Sequence, residues 1–259
     1  MCLKERLRLN YRDLVQFVEL MPKIKSIIGL ERIPHFTILQ KFFQKLNSSL
    51  FEDVLNKTVG LFDIKDPWVA VDGTGHSTDQ ASLYYAKLKK QSKKKRKHYT
   101  KNQIAVDTEK QVILAQRVVR GPRHDSKDAI PTIRKTKKYE PSSFSLDKSF
   151  DSEKIHKLIR EELKAISIIP PKKRLKKGEY RLSMLKNFDK PKYNQRSIVE
   201  TVISVEKRVF GDSNTSRSDR LRNKESKLRN ICYNIYKYVK SFILVILKVF
   251  LQSHFSNIL

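Results

Sequence analysis

Apolar residues recur at helical spacing through the first sixty positions and then give way to the compact runs of strands. Leu14, Phe17, Val18 and Met21 mark one helix; Leu39, Phe42, Phe43 and Leu46 mark another. The stretch around Pro34 separates them, with Thr37 expected to cap the second. From Trp68 the pattern changes. Trp68–Asp72, Gln103–Asp107 and Val112–Val119 are rich in β-branched residues and predict three strands. The short Thr108–Gln111 connection makes the second and third an antiparallel hairpin. A helix is expected over 126–138, then a strand at Ser143–Leu146 that runs into Asp147. A helix over Glu153–Glu162, a strand at Ala165–Ile169 stopped by Pro170-Pro171, and a long helix near Tyr193 complete the order. Such an order predicts an α/β fold, a mixed sheet flanked by helices.

Charge narrows the partners. The 259 residues contain 55 Lys and Arg against 27 Asp and Glu, a net charge of +28. That excess repels itself unless a polyanion is bound, so nucleic acid is the expected partner, held through counterion release. Lys93, Lys94, Lys95, Arg96 and Lys97 form a block of like charge inside an expected loop, Lys87–Lys101, and are candidates for phosphate contact. Two cysteines without CxxC spacing exclude a disulfide framework and a structural zinc site. The N-terminus, charged from Lys4 and lacking a secretory apolar region, predicts a cytoplasmic location. The apolar run 241–259 is interrupted by Lys248, Gln252 and His254 and is shorter than the roughly 20 residues of a membrane span. It reads as a buried or oligomer-forming helix, with no membrane partner. No Walker A sequence, Rossmann glycine motif or HxxxH pair occurs, which argues against ATP, NAD and zinc-hydrolase chemistry.

Three carboxylates are the candidates for chemistry. Asp72 is expected to end the first strand, before Gly73 and Gly75, whose small size allows close approach of backbone or substrate. Asp147 ends the later strand, and Glu200 lies on the predicted long helix. Singly, an Asp after a strand is more often a turn or cap residue, and His124-Asp125 is read that way. Together, three oxygen ligands suit hard divalent ions and phosphodiester chemistry. Tyr193, Arg196, Glu200 and Lys207, at i, i+3, i+7 and i+14, fall within roughly 60° on one helical face. Val199, Val202, Ile203 and Phe210 supply that helix with packing contacts. Spacing alone fits a surface Glu–Lys stripe equally well.

The spacing Y-x2-R-x3-E-x6-K, carried by Tyr193, Arg196, Glu200 and Lys207, resembles the signature of DDE transposases from prokaryotic insertion sequences. Val71-Asp72-Gly73-Thr74-Gly75 is similar to that family's first catalytic Asp, and Leu146-Asp147-Lys148-Ser149-Phe150-Asp151 to its second, although many relatives have Gly-Tyr in place of Ser149-Phe150. The resemblance spans about residues 65 to 212 and implies an RNase H-like core. It implies two Mg²⁺ or Mn²⁺ ions held by Asp72, Asp147 and Glu200, with Tyr193, Arg196 and Lys207 contacting DNA. The implied activity is cleavage at transposon ends and strand transfer into target double-stranded DNA, by a homo-oligomer in the DNA complex. The alternatives are an RNase H-like nuclease that does not join, or a catalytically decayed nucleic-acid-binding protein. The expected division is a helical N-terminal region at 1–64, a catalytic domain at 65–230 and an apolar C-terminal helix at 231–259.

Overall fold

The computed structural model describes residues 1–78, 99–172 and 177–255, with side chains as far as residue 244. Five short helices open the chain: α1 (Cys2–Leu7), α2 (Tyr11–Glu19), α3 (Pro22–Ile27), α4 (Phe36–Lys45) and α5 (Ser48–Val59). Asn10 and Asn47 cap α2 and α5 by accepting from backbone N–H groups. Thr37 does not cap α4. That helix starts at Phe36 after an extended His35, and Thr37 lies inside its first turn, with Oγ1 2.9 Å from His35 Nδ1.

The sheet follows: β1 (Trp68–Thr78), β2 (Thr100–Asp107) and β3 (Val112–Arg120), then α6 (Asp125–Lys135), β4 (Ser143–Leu146), α7 (Glu153–Lys157) and β5 (Ile166–Ile168). Helices α8 (Glu179–Lys186), α9 (Lys190–Tyr193) and α10 (Ser197–Phe210), a short β6 (Ser213–Asn214) and the long α11 (Asp219–Phe255) complete the chain. The strand order is β3-β2-β1-β4-β5, with β6 beside β1. β1, β2 and β3 run antiparallel, as the short hairpin predicts, while β4 is parallel to β1 and to β5. β2 is buried along its whole length.

Alternation along the strands sends side chains to two cores. Val69, Val71, Ala105, Phe144 and Leu146 meet Ala129 and Ile133 of α6 and Ile155 of α7. Ala70, Ile104 and Ile113 meet Phe51 and Leu55 of α5, Val199 and Val202 of α10, and Ile231 and Tyr233 of α11. β3 is an edge strand, and edge strands leave backbone groups open. The Asn234 side chain accepts from Ile113 N and donates to Ile113 O, both at 2.9 Å, and so covers part of that ladder. No helix among the described residues is long and apolar enough to cross a membrane.

Candidate active site

The register of the parallel pair places the first two carboxylates. Val71 lies opposite Leu146, so the next residue on each strand, Asp72 and Asp147, stand side by side on neighbouring strands, roughly 4.8 Å apart in backbone. They share the face of Ala70, the face covered by α10 and α11. This is the carboxyl end of β4, beside the parallel β1, the kind of place where α/β sheets bind ligands. Asp72 does not end β1, as the sequence suggested. β1 continues to Thr78 because β2 pairs with it as far as His76 opposite Thr100. Only β4 stops here, and its stop opens the sheet beside Asp72.

Helix α10 brings the third carboxylate. Val199 and Val202 pack it against Ala70 and Ile104, and Glu200 projects with its side chain about half exposed. Tyr193 and Arg196 do not lie on this helix, contrary to the single-helix expectation. Pro191 and the Asp189 cap start a separate turn, α9, and Asn194–Arg196 forms a 3-10 turn closed by Ser197 Oγ donating to Asn194 O at 2.9 Å.

The groups nevertheless meet. Arg196 Nη2 lies 3.3 Å from Asp72 Oδ2, and its Nη1 lies 2.8 Å from Glu200 Oε1. Its Nε is buried and has no hydrogen-bond partner among the described residues. Burial raises the Asp72 pKa above the usual carboxylate value; the Gly73 N–H and Arg196 lower it, and Glu200 and Asp147 push it up again. Burial also raises the Tyr193 phenol, which feels Arg196 and all three carboxylates, while its ring packs 5.3 Å from that of Phe188. Lys207, further along α10, donates to Gly75 O at 3.1 Å.

Other residues near the site were not singled out by sequence. Lys101, assigned to a loop from its charge, lies in β2 and is buried, paired to Asp125 at 2.5 Å and Asp128 at 3.6 Å. Its signal was alternation: Lys101, Gln103 and Ala105 share one face. Asp125 Oδ1 is 3.2 Å from where a Cβ on Gly73 would stand, and a Cβ on Gly75 would come within 2.9 Å of the Tyr99 ring. The two glycines thus accommodate protein groups packed against the strand. His124 is the N-cap of α6, accepting from Ser126 N, in keeping with its reading as a cap. On the face of Asp72, buried His76 contacts Ser226 Oγ at 2.8 Å and Glu206 Oε2 at 3.2 Å, tying β1 to α10 and α11. The basic block Lys93, Lys94, Lys95, Arg96 and Lys97 lies outside the described residues.

Carboxylate oxygens from three elements are hard donors of the kind that Mg²⁺ and Mn²⁺ take. The donor chemistry therefore fits a divalent ion. Among the described residues, however, no three acidic, His or Cys groups stand together as a ready cage. Two of the three carboxylates are held by Arg196 instead.

No curated protein and no solved structure gives a match to the chain. A family model described as "Transposase DDE domain" matches residues 64–235, well over half the chain, and its span contains the whole mixed sheet with α6 to α10 and the first part of α11, an RNase H-like core. By that match the chain belongs to the DDE transposase domain family, whose members are nucleic-acid phosphoryl-transfer enzymes.

Proposed function

We propose that this chain is a metal-dependent DNA transposase that cleaves at the ends of a mobile element and joins them to target DNA. The observation that carries this reading is the nearness of Asp72, within β1, to Asp147, just past the end of the adjacent β4, and to Glu200 on α10. In this reading residues 65–230 hold the chemistry, 1–64 contribute to DNA binding, and the apolar segment 231–259 serves pairing with a second copy. Asp72, Asp147 and Glu200 hold Mg²⁺ or Mn²⁺. Two such ions, when bound, neutralise phosphate charge and activate the attacking and leaving oxygens. Tyr193, Arg196 and Lys207 orient the phosphates of double-stranded DNA, Arg196 being suited by its planar fork of donors. Lys93 to Lys97 add sequence-independent attraction to the backbone.

The test is cleavage and joining of labelled DNA carrying the flanking element ends, with Mg²⁺ or Mn²⁺. Asp72→Ala, Asp147→Ala and Glu200→Ala should each lower both activities about 100-fold or more, the size of a lost metal contribution, while DNA binding persists. Cleavage without joining would convert the reading to a nuclease. Binding with no cleavage by the unaltered chain would convert it to a decayed, DNA-binding copy.

A further inference from the structure

Arg196 occupies an unusual place for a phosphate-binding residue: its guanidinium is already engaged by two of the carboxylates proposed as metal ligands. We propose that Arg196 links ion binding to DNA binding, acting as a stand-in cation between Asp72 and Glu200 in the free chain and turning to a DNA phosphate when those carboxylates take a divalent ion. This rests on the reading of Asp72, Asp147 and Glu200 as metal ligands.

Four observations carry it. First, the guanidinium spans residues 72 and 200 with separate nitrogens, at 3.3 and 2.8 Å, a two-nitrogen bridge that its planar fork permits where a lysine has a single nitrogen. Second, the bridge is incomplete. Arg196 Nε is buried with no partner among the described residues, and a donor left so costs free energy that an added acceptor, such as a phosphate oxygen, would recover. Third, Glu200 is about half exposed, so its ion pair is weakened by solvent and can be exchanged at little cost. Fourth, Arg196 sits in a 3-10 turn outside α10, so it can leave Glu200 while Val199 and Val202 keep that helix against the sheet.

Ion and arginine thus compete for the same oxygens, and DNA resolves the competition. A phosphate that draws Arg196 away frees Asp72 and Glu200, and an ion that takes them frees Arg196. The coupling is reciprocal, as linkage requires. The free chain then has weak affinity for metal, and the site assembles fully only on its substrate.

The experiment is a Mn²⁺ titration of the DNA-free full chain, read by loss of the free-ion electron paramagnetic resonance signal, with folding checked by circular dichroism. Arg196→Gln should bind Mn²⁺ about 5-fold or more tightly than the unaltered chain, within the usual range of coupling. Arg196→Lys keeps the charge without the bridge and should fall between them; it carries the test if the Gln variant does not fold. Asp72→Asn should lose the site. A short DNA duplex should tighten Mn²⁺ binding in the unaltered chain more than in Arg196→Gln. If Asp72→Asn loses binding while Arg196→Gln equals or falls below the unaltered chain, the stand-in role is overturned and the metal site survives. If Asp72→Asn binds like the unaltered chain, the metal-ligand reading itself fails.

Discussion

The two halves of β1 differ in neighbours and therefore in work. Trp68–Val71 runs between β2 and β4, and Val69, Ala70 and Val71 are fully buried. Asp72–Thr78 has run past the end of β4; it keeps β2 as far as His76, pairs with β6 at Ser77 and Thr78, and consists of polar residues and glycine. One strand thus supplies the centre of the fold and, without interruption, one wall of the site. Where both edges are paired the residues are chosen by packing; where one edge opens, a charged side chain can be partly buried and still reached.

Packing predicts the largest effect, in the first half. Phe144, opposite Val69 and fully buried, should cost about 3–5 kcal/mol when changed to Ala, measured by urea unfolding. A cost under 1 kcal/mol would show that this half is not the centre of the fold. In the second half, His76→Leu takes the imidazole from buried Glu206, while Ser226 keeps Asn214, and should cost about 1–3 kcal/mol in the same assay. The smallest effect has the opposite sign. The Asp72 pKa is raised in the folded chain, so the group's contribution is fully present below the ordinary carboxylate range and is lost as pH rises through its raised value. Asp72→Asn should therefore raise Tm by roughly 1–2 °C near pH 7 in metal-free buffer, and the gain should vanish in acid. A lower Tm at pH 7 would mean that Arg196 outweighs burial.

The same contrast explains what the sequence disclosed. Val69–Val71, Ile104–Val106, Val112–Leu114 and Phe144–Leu146 announce themselves by β-branched and apolar runs, and their order leads to the sheet. Asp72, Asp147 and Glu200 were visible because each follows or rides on such a run. The continuation of β1 was not: Gly73 and Gly75 read as making room for backbone or substrate, whereas the Tyr99 ring and the Asp125 carboxylate that fill beside them come from elsewhere in the chain. Nor could spacing show Arg196 reaching Asp72 across 124 residues, or His76 reaching Ser226 across 150. The first turns of α11 were masked by charge, because Lys224, Glu225 and Arg229 are buried through partners such as Phe43 O and Glu5.

Order along the chain is also order in time, since synthesis delivers N-terminal segments first. Asp72 and Asp147 leave the ribosome before Glu200, and α11 follows all three. Until α11 arrives, His76 lacks Ser226, Asn102 lacks Asn230, and Ile104 and Ile113 lack the cover of Ile231 and Tyr233. A chain cut short before Asp219 is thus a chain with its acidic residues made and its sheet half clothed.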